Sequence, residues 1–396
     1  MISNNEKCVG CHACEATCSV GAISFKKRND GFYYPLIDTS ACVKCNLCET
    51  VCPILINNYH DEEQTAFALS PLTYNKNDLS LISTSGGAFY YIAIKFLKSG
   101  GIVYGCRLNG KMIEWVRVTN ENDLSTIQGS KYIESSSVTY YKQIKKDLSN
   151  NLNILFAGLP CQVSGLRAFL GRDYSGLFTI DLICHGTPSS SFFSKYVESQ
   201  EKKNNTNVVS IIFRDKKRRG WCLKGTIVQQ KHNKTTTKQM SSSNSSYYHF
   251  FLNSNIYREE CYCCKFANNK RVSDITLGDF WGIEKNKNFT TYKKHKKGVS
   301  LVICNTNKGL RYIEELKNPQ ILLCRIEDNS FLNYNKQLSF PSPIQKRKTT
   351  MLIDVEQKGY LIAEQTFKSR PLKTKIKTFV SNLLPLSFKD FIKKIL

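Results

Sequence analysis

The chain has 396 residues, 41% of them hydrophobic and 11% aromatic, and a formal net charge of +24. That length and apolar content exclude a disordered chain and allow two or three packed domains. Its apolar runs, such as 100–104 and 153–158, are strand-length and far short of a membrane span. The charge admits an acidic partner, an anionic membrane surface or nucleic acid, and also a merely lysine-rich composition.

The first 52 residues carry two nearly identical cysteine runs: Cys8, Cys11, Cys14, Cys18 and Cys42, Cys45, Cys48, Cys52. Each reads C-x2-C-x2-C-x3-C, the spacing with which bacterial two-cluster ferredoxins hold a pair of 4Fe–4S cubanes. The fourth cysteine of each run ligates the other cluster in that arrangement. It assigns Cys8, Cys11, Cys14 and Cys52 to one cubane and Cys42, Cys45, Cys48 and Cys18 to the second. Zinc sites normally use isolated C-x2-C pairs, and a disulfide framework needs an oxidising compartment. The cluster motif starts too early for a cleavable signal, so seventeen cysteines lead us to expect a reducing, cytoplasmic setting. Between the runs, residues 31–38 alternate like a strand. The module 1–60 has five Lys/Arg and five Asp/Glu, so the positive excess lies beyond it.

Residues 61–80 are polar and acidic at Asp61, Glu62 and Glu63 and are expected to be a linker to a larger domain over 81–305. There, Ser83, Thr84 and Ser85 introduce a predicted helix over 87–97, and a strand follows over 101–106. A helix is expected over 139–148. A buried strand over 152–157 runs into Gly158-Leu-Pro-Cys-Gln162 and a helix over 163–170. Another strand, 178–183, ends at Cys184-His-Gly186. Strands ending in such turns predict an α/β core with ligand loops at the strand ends. The expected fold class is therefore α+β, with an N-terminal two-cluster ferredoxin-like domain followed by the larger α/β domain. Further strands are expected over 208–214 and 223–230, with the basic run Arg214, Lys216, Lys217, Arg218 and Arg219 between them, and a mobile loop over 231–247. Residues 306–396 form a basic C-terminal region without assignment; beyond Pro343, twelve Lys/Arg face four Asp/Glu. Phe388, Phe391, Ile392, Ile395 and Leu396 lie at helical spacing beside Lys389, Lys393 and Lys394. They read either as a packed terminal helix or as one lying on an anionic membrane.

Cys261 and Cys264 form a C-x2-C pair, with Cys263 between them, and Cys161 and Cys184 lie at strand ends upstream. Four thiolates need only converge in space, so these can hold a third cubane; equally, Cys161 and Cys184 can be small buried residues. Cys106, Cys222, Cys304 and Cys324 have no partner at metal spacing. Glycine and hydroxyl turns recur at 83–87, 128–132, 158–162 and 278–282. Such turns can cradle phosphate at a helix start, although none is a G-x-G-x-x-G or Walker A loop.

Taken in order, Ser85-Gly-Gly87, Gly129-Ser-Lys-Tyr132, Gly158-Leu-Pro-Cys-Gln162, Cys184-His-Gly186, Phe213-Arg-Asp-Lys216 with Gly220-Trp221, and Cys261-x2-Cys264 leading to Asp274-Ile-Thr-Leu-Gly-Asp-Phe-Trp-Gly282 carry a resemblance. Over roughly residues 1–305 the chain resembles the beta subunit of coenzyme F420-reducing hydrogenases and F420-dependent formate dehydrogenases, and the related reductase of 7-hydroxymethyl chlorophyll. The resemblance implies a flavin-binding larger domain and an oxidoreductase relaying electrons between a hydride donor such as deazaflavin F420, FAD and the 4Fe–4S clusters. It makes Ser85, Gly86, Gly87, Gly129, Ser130 and Lys131 the FAD contacts. Cys161, Cys184, Cys261 and Cys264 become ligands of a flavin-proximal third cluster, with Cys263 as a rival for Cys264. His185 becomes a flavin-side proton donor or a structural residue. The basic tail resembles that of members encoded among polysaccharide-synthesis genes, which implies reduction of a sugar nucleotide or of a redox partner protein. Two other readings are an electron-carrier subunit without its own substrate site and a basic iron–sulfur protein binding nucleic acid through 214–219. Nucleic acid is not the expected partner.

Overall fold

A computed structural model of the chain describes residues 7–72, 82–136, 138–217, 220–285, 298–344 and 348–383. In chain order the strands are β1 (Ile23–Lys27), β2 (Tyr33–Ile37), β3 (Thr65–Pro71), β4 (Ile102–Asn109), β5 (Met112–Val118), β6 (Ile154–Gly158), β7 (Leu177–Leu182), β8 (Asn207–Ile212), β9 (Gly225–Lys231), β10 (Lys234–Met240), β11 (Ile275–Asp279), β12 (Ser300–Cys304) and β13 (Ile321–Ile326). Among the described residues they form the β1–β2 hairpin, an antiparallel β10–β9–β8 sheet and a large mixed sheet. The large sheet runs in the order β13-β3-β12-β11-β7-β6-β4-β5. β4, β6, β7 and β11 are parallel, and the strands at either side of them are antiparallel.

The central strands read as unbroken apolar runs because both faces are covered. On one face Val103, Leu155, Phe178 and Ile180 pack against Tyr91, Ile92 and Phe96 of the helix Ala88–Lys98. On the other, Ile102, Tyr104, Ile154 and Phe156 meet Val163 and Leu166 of the helix Pro160–Leu170. This second core continues without a break into the ferredoxin module through Cys11, Ala13, Ala16 and Val51. The cysteine module is thus fused to the sheet by buried apolar surface, which resists hinge motion. A third core joins Phe32 and Tyr34 beside the hairpin to the β8–β10 sheet and to Met351, Leu352, Val355, Tyr360 and Phe367 of the C-terminal region.

Three expectations are corrected. The supposed linker 61–80 contains β3, buried along its whole length between β12 and β13. Its Ala-Phe-Ala-Leu core is masked in sequence by the acids that precede it. The supposed loop 231–247 contains β10, paired with β9 from Lys234 opposite Lys231 to Met240 opposite Gly225. As an edge strand whose side chains are mostly exposed, it needs no apolar alternation, and Thr and Lys suit such an edge. The larger domain does not end at 305, since β13 joins its sheet and the helices Lys348–Lys358 and Leu361–Lys368 close its third core. The residues 388–396 singled out for a terminal helix lie outside the described residues.

Candidate metal centres at the sheet edge

The first cysteine run wraps back on itself because Gly10 (φ +69) and His12 (φ +63) adopt the left-handed conformation. The Gly10 amide donates to Cys8 Sγ at 3.3 Å, the type of N–H···S contact that cradles a cluster sulfur. Cys8, Cys11, Cys14 and Cys52 form one electrostatic neighbourhood. Burial pushes the thiols of Cys11 and Cys14 far above their usual range, and their closeness to Cys8 and Cys52 adds to the rise. Thiols held this way ionise when iron supplies the compensating charge. Cys18, Cys42, Cys45 and Cys48 line a separate apolar cavity together with Val20, Ile23 and Ile37. Lys44 (φ +55) and Asn46 (φ +59) bend the second run around it. Cys45 is the exposed member of this set. The grouping of eight cysteines by fours therefore crosses the two runs.

A third group forms at the C-terminal ends of the parallel strands, where open α/β sheets hold their ligands. Cys161 enters from the first turn of the helix after β6, Cys184 from the loop after β7, and Cys261 and Cys264 from the turn before β11. All four line one cavity with Glu134, Gln162, His185 and Ser342. Burial raises the Cys184 and Cys264 thiols, and the Arg271 guanidinium works against that rise. Cys263 is exposed and does not line the cavity; its thiol points at the Glu260 carbonyl, 3.8 Å away. Cys161 also senses Cys11 of the first group. The helix between them comes close because Gly165 has no side chain: a Cβ there would lie 3.1 Å from Cys11 Sγ. Among the described residues no three His, Cys, Asp or Glu side chains converge tightly enough for a single metal ion. Four cysteine thiols on one cavity are the donor type that an iron–sulfur cluster would take.

The hydroxyl and glycine turns meet at the same end of the sheet. Thr84 Oγ1 and Ser130 Oγ lie 2.7 Å apart, and Gln128 Nε2 donates to Ser83 Oγ at 3.1 Å. Ser85 Oγ donates to the Val299 carbonyl at 2.7 Å. Gly86 admits no side chain, since a Cβ would fall 2.1 Å from the Leu69 carbonyl oxygen, and Gly87 (φ +89) starts the helix Ala88–Lys98. Gly129 (φ +77) makes the neighbouring turn. The Lys131 amine donates to the carbonyls of Ile127 and Gln128 at 2.8 and 2.7 Å, and burial lowers its pKa to about 8. His185 lines the cavity of the third cysteine group, with its carbonyl accepting from Ser342 Oγ at 2.5 Å; burial holds its imidazole below the usual pKa.

Sequence reasoning did not join the residues of a neighbouring network. Arg214 pairs with Asp279 at 2.9 and 3.3 Å, Trp221 Nε1 donates to Asp279 Oδ1 at 2.5 Å, and Lys216 donates to the Ser85 carbonyl at 2.6 Å. Trp221 stacks on Trp281 with ring centroids 4.8 Å apart. The order of these residues in the sequence was visible, but not their convergence. Arg214 and Lys216 are buried inside this network, which removes them from the surface patch of the nucleic-acid reading; Arg218 and Arg219 lie outside the described residues.

Paired cysteine groups in a fused module, beside a cysteine-lined cavity on an α/β sheet, define an iron–sulfur electron-transfer protein. Residues 152–329 match the family model described as the C terminus of the coenzyme F420 hydrogenase/dehydrogenase beta subunit, and residues 7–56 match that of the 4Fe-4S dicluster domain. Among solved structures, the chain is similar to one from the F420-reducing [NiFe] hydrogenase complex of Methanosarcina barkeri. The identity is 15%, the match covers 76% of this chain and 91% of that one, and the TM-score is 0.44. No curated protein matches the chain.

Proposed function

We propose that the protein is a flavin- and iron–sulfur-dependent oxidoreductase that moves electrons between a hydride donor of the deazaflavin F420 type and a redox partner protein through FAD and three 4Fe–4S clusters. The observation that carries this reading is the convergence of Cys161, Cys184, Cys261 and Cys264 on one cavity that adjoins the first ferredoxin group. The family of residues 152–329 supplies the type of hydride donor. When bound, FAD turns two-electron hydride chemistry into single-electron transfers. The turns at 83–87 and 128–131 would hold it, with backbone amides for its phosphates. His185, which lines the cavity of the third cysteine group, would hold or release a proton there. Cys45 and its apolar surround, Val20, Val43 and Leu47, form the exposed end of the path.

Anaerobic purification with iron and flavin assays tests this. About twelve irons and one FAD per chain are expected. About eight irons without flavin would replace the enzyme with an electron-carrier subunit.

A peripheral membrane contact belongs to the same proposal. Leu372, Ile376 and Phe379 are 71%, 54% and 57% exposed in a stripe along the helix Leu372–Leu383, with exposed Lys373 and Lys375 beside it. No helix among the described residues is long and apolar enough to cross a membrane; the exposed apolar stripe beside lysines is what supports a helix lying on an anionic surface. Co-sedimentation with phosphatidylglycerol vesicles, weak with phosphatidylcholine and lost in Phe379→Glu, is the expected result. Equal recovery from both lipids removes the membrane contact.

A further inference from the structure

Arg258 stands three residues before the Cys261 turn, 2% exposed, and its side chain leaves the large domain to enter the ferredoxin module. Its guanidinium donates to the carbonyls of Cys8 and Tyr33 at 3.4 and 3.1 Å and lies over the rings of Phe32 and Tyr34 at 4.7 and 4.8 Å. Gly10 makes room for it, since a Cβ there would sit 2.8 Å from the guanidinium nitrogen. Its counterion is Glu134, 2.8 Å away, with only 16% of that side chain exposed. Glu134 is fixed by the Ser190 amide at 3.3 Å and lines the third cysteine cavity. The ion pair is therefore a buried dipole wedged between two cysteine groups, with its positive end on the Cys8 loop and its negative end on the cavity.

We propose that this pair shifts the reduction potentials of the two neighbouring clusters apart, in the sense that favours electron transfer from the cavity group to the Cys8, Cys11, Cys14 and Cys52 group. This rests on the third cluster proposed above. The step would be a one-electron transfer in which the cluster that Cys161, Cys184, Cys261 and Cys264 would hold is oxidised and the inner one, which Cys8, Cys11, Cys14 and Cys52 would hold, is reduced, with no proton moved. An added electron makes a cubane more negative. A fixed guanidinium in a water-poor setting stabilises that state, and a fixed carboxylate opposes it. The exposed Arg28 also acts on Cys8, but solvent and salt screen it. The positive charge at Cys8 is thus chiefly Arg258. A purely structural staple, by contrast, would influence iron retention and leave the potentials alone.

The test is an EPR-monitored redox titration of the full-length, cluster-loaded protein, with the outer cubane as internal reference. Arg258→Gln is expected to lower the reduced-to-oxidised ratio of the inner cubane at fixed potential about tenfold, which is 59 mV for a one-electron couple. Arg258→Lys keeps the charge and should titrate near the wild type. Glu134→Gln should move the cavity-side midpoint upward. Variants that keep their irons and titrate like the wild type overturn the proposal. Where Arg258→Gln loses iron, Glu134→Gln decides in the same way. If the wild type shows only two cubanes, it is the third-cluster reading that has failed, and the inner midpoint of Arg258→Gln still judges the guanidinium.

Discussion

Replacing Cys264 with serine is expected to remove about four irons per chain, roughly a third of the total, whereas replacing Cys263 with serine should remove none. The two residues are adjacent and share one C-x-C-C segment, so sequence alone leaves them as rivals. Tertiary packing separates them. Cys264 lines the cavity with Cys161, Cys184 and Cys261, and burial raises its thiol pKa to about 11. A thiol so reluctant to ionise in the bare protein becomes a thiolate once iron is bound. Cys263 faces outward against a backbone carbonyl. Serine is nearly isosteric in both places, so the fold should survive and the iron content reports ligation. Iron assay and visible absorbance under anaerobic conditions measure it. Wild-type iron in both variants would leave the cavity without a cluster, and loss in Cys263→Ser alone would exchange the two ligands.

The second large effect is on stability. Arg271→Met should lower the unfolding free energy by about 3–5 kcal/mol, read as a lower urea midpoint by tryptophan fluorescence. Arg271 Nη2 contacts Asp181 Oδ1 at 2.8 Å, and the two side chains are only 2% and 0% exposed. The same guanidinium donates to Thr276 Oγ1 and to the carbonyls of Phe266, Asn268 and Leu182. It ties the segment after Cys264 to the end of β7, so removing it leaves a buried carboxylate uncompensated and several carbonyls unpaired. Adding Asp181→Asn to Arg271→Met should recover part of the loss, as expected of two residues in one network. A midpoint equal to the wild type in the single variant would show that water reaches Asp181 and satisfies it.

Periodicity made much of the large domain legible. The expected helix over 87–97 is Ala88–Lys98, and the strands after residues 101, 152 and 178 are β4, β6 and β7. These segments are long and buried on both faces, so their apolar runs speak plainly. β3 and β10 were missed for opposite reasons: one hides a short buried run behind acids, and the other is an edge strand with polar side chains. The C-terminal region was opaque because Met351, Leu352, Val355 and Phe367 have no meaning until Phe32, Phe192 and Tyr247 are placed against them.

The sequence by itself determined the two ferredoxin-type cysteine runs, because cluster ligation there is a matter of local spacing that needs no distant partner. It also showed which glycine, cysteine and tryptophan segments belong to the larger domain, in order. Only the tertiary structure decided that Cys161, Cys184, Cys261 and Cys264 share a cavity, that Cys263 does not, and that Arg258 reaches from one module into the other. Those facts depend on which strand ends the sheet order brings side by side, a long-range pairing that no local pattern encodes.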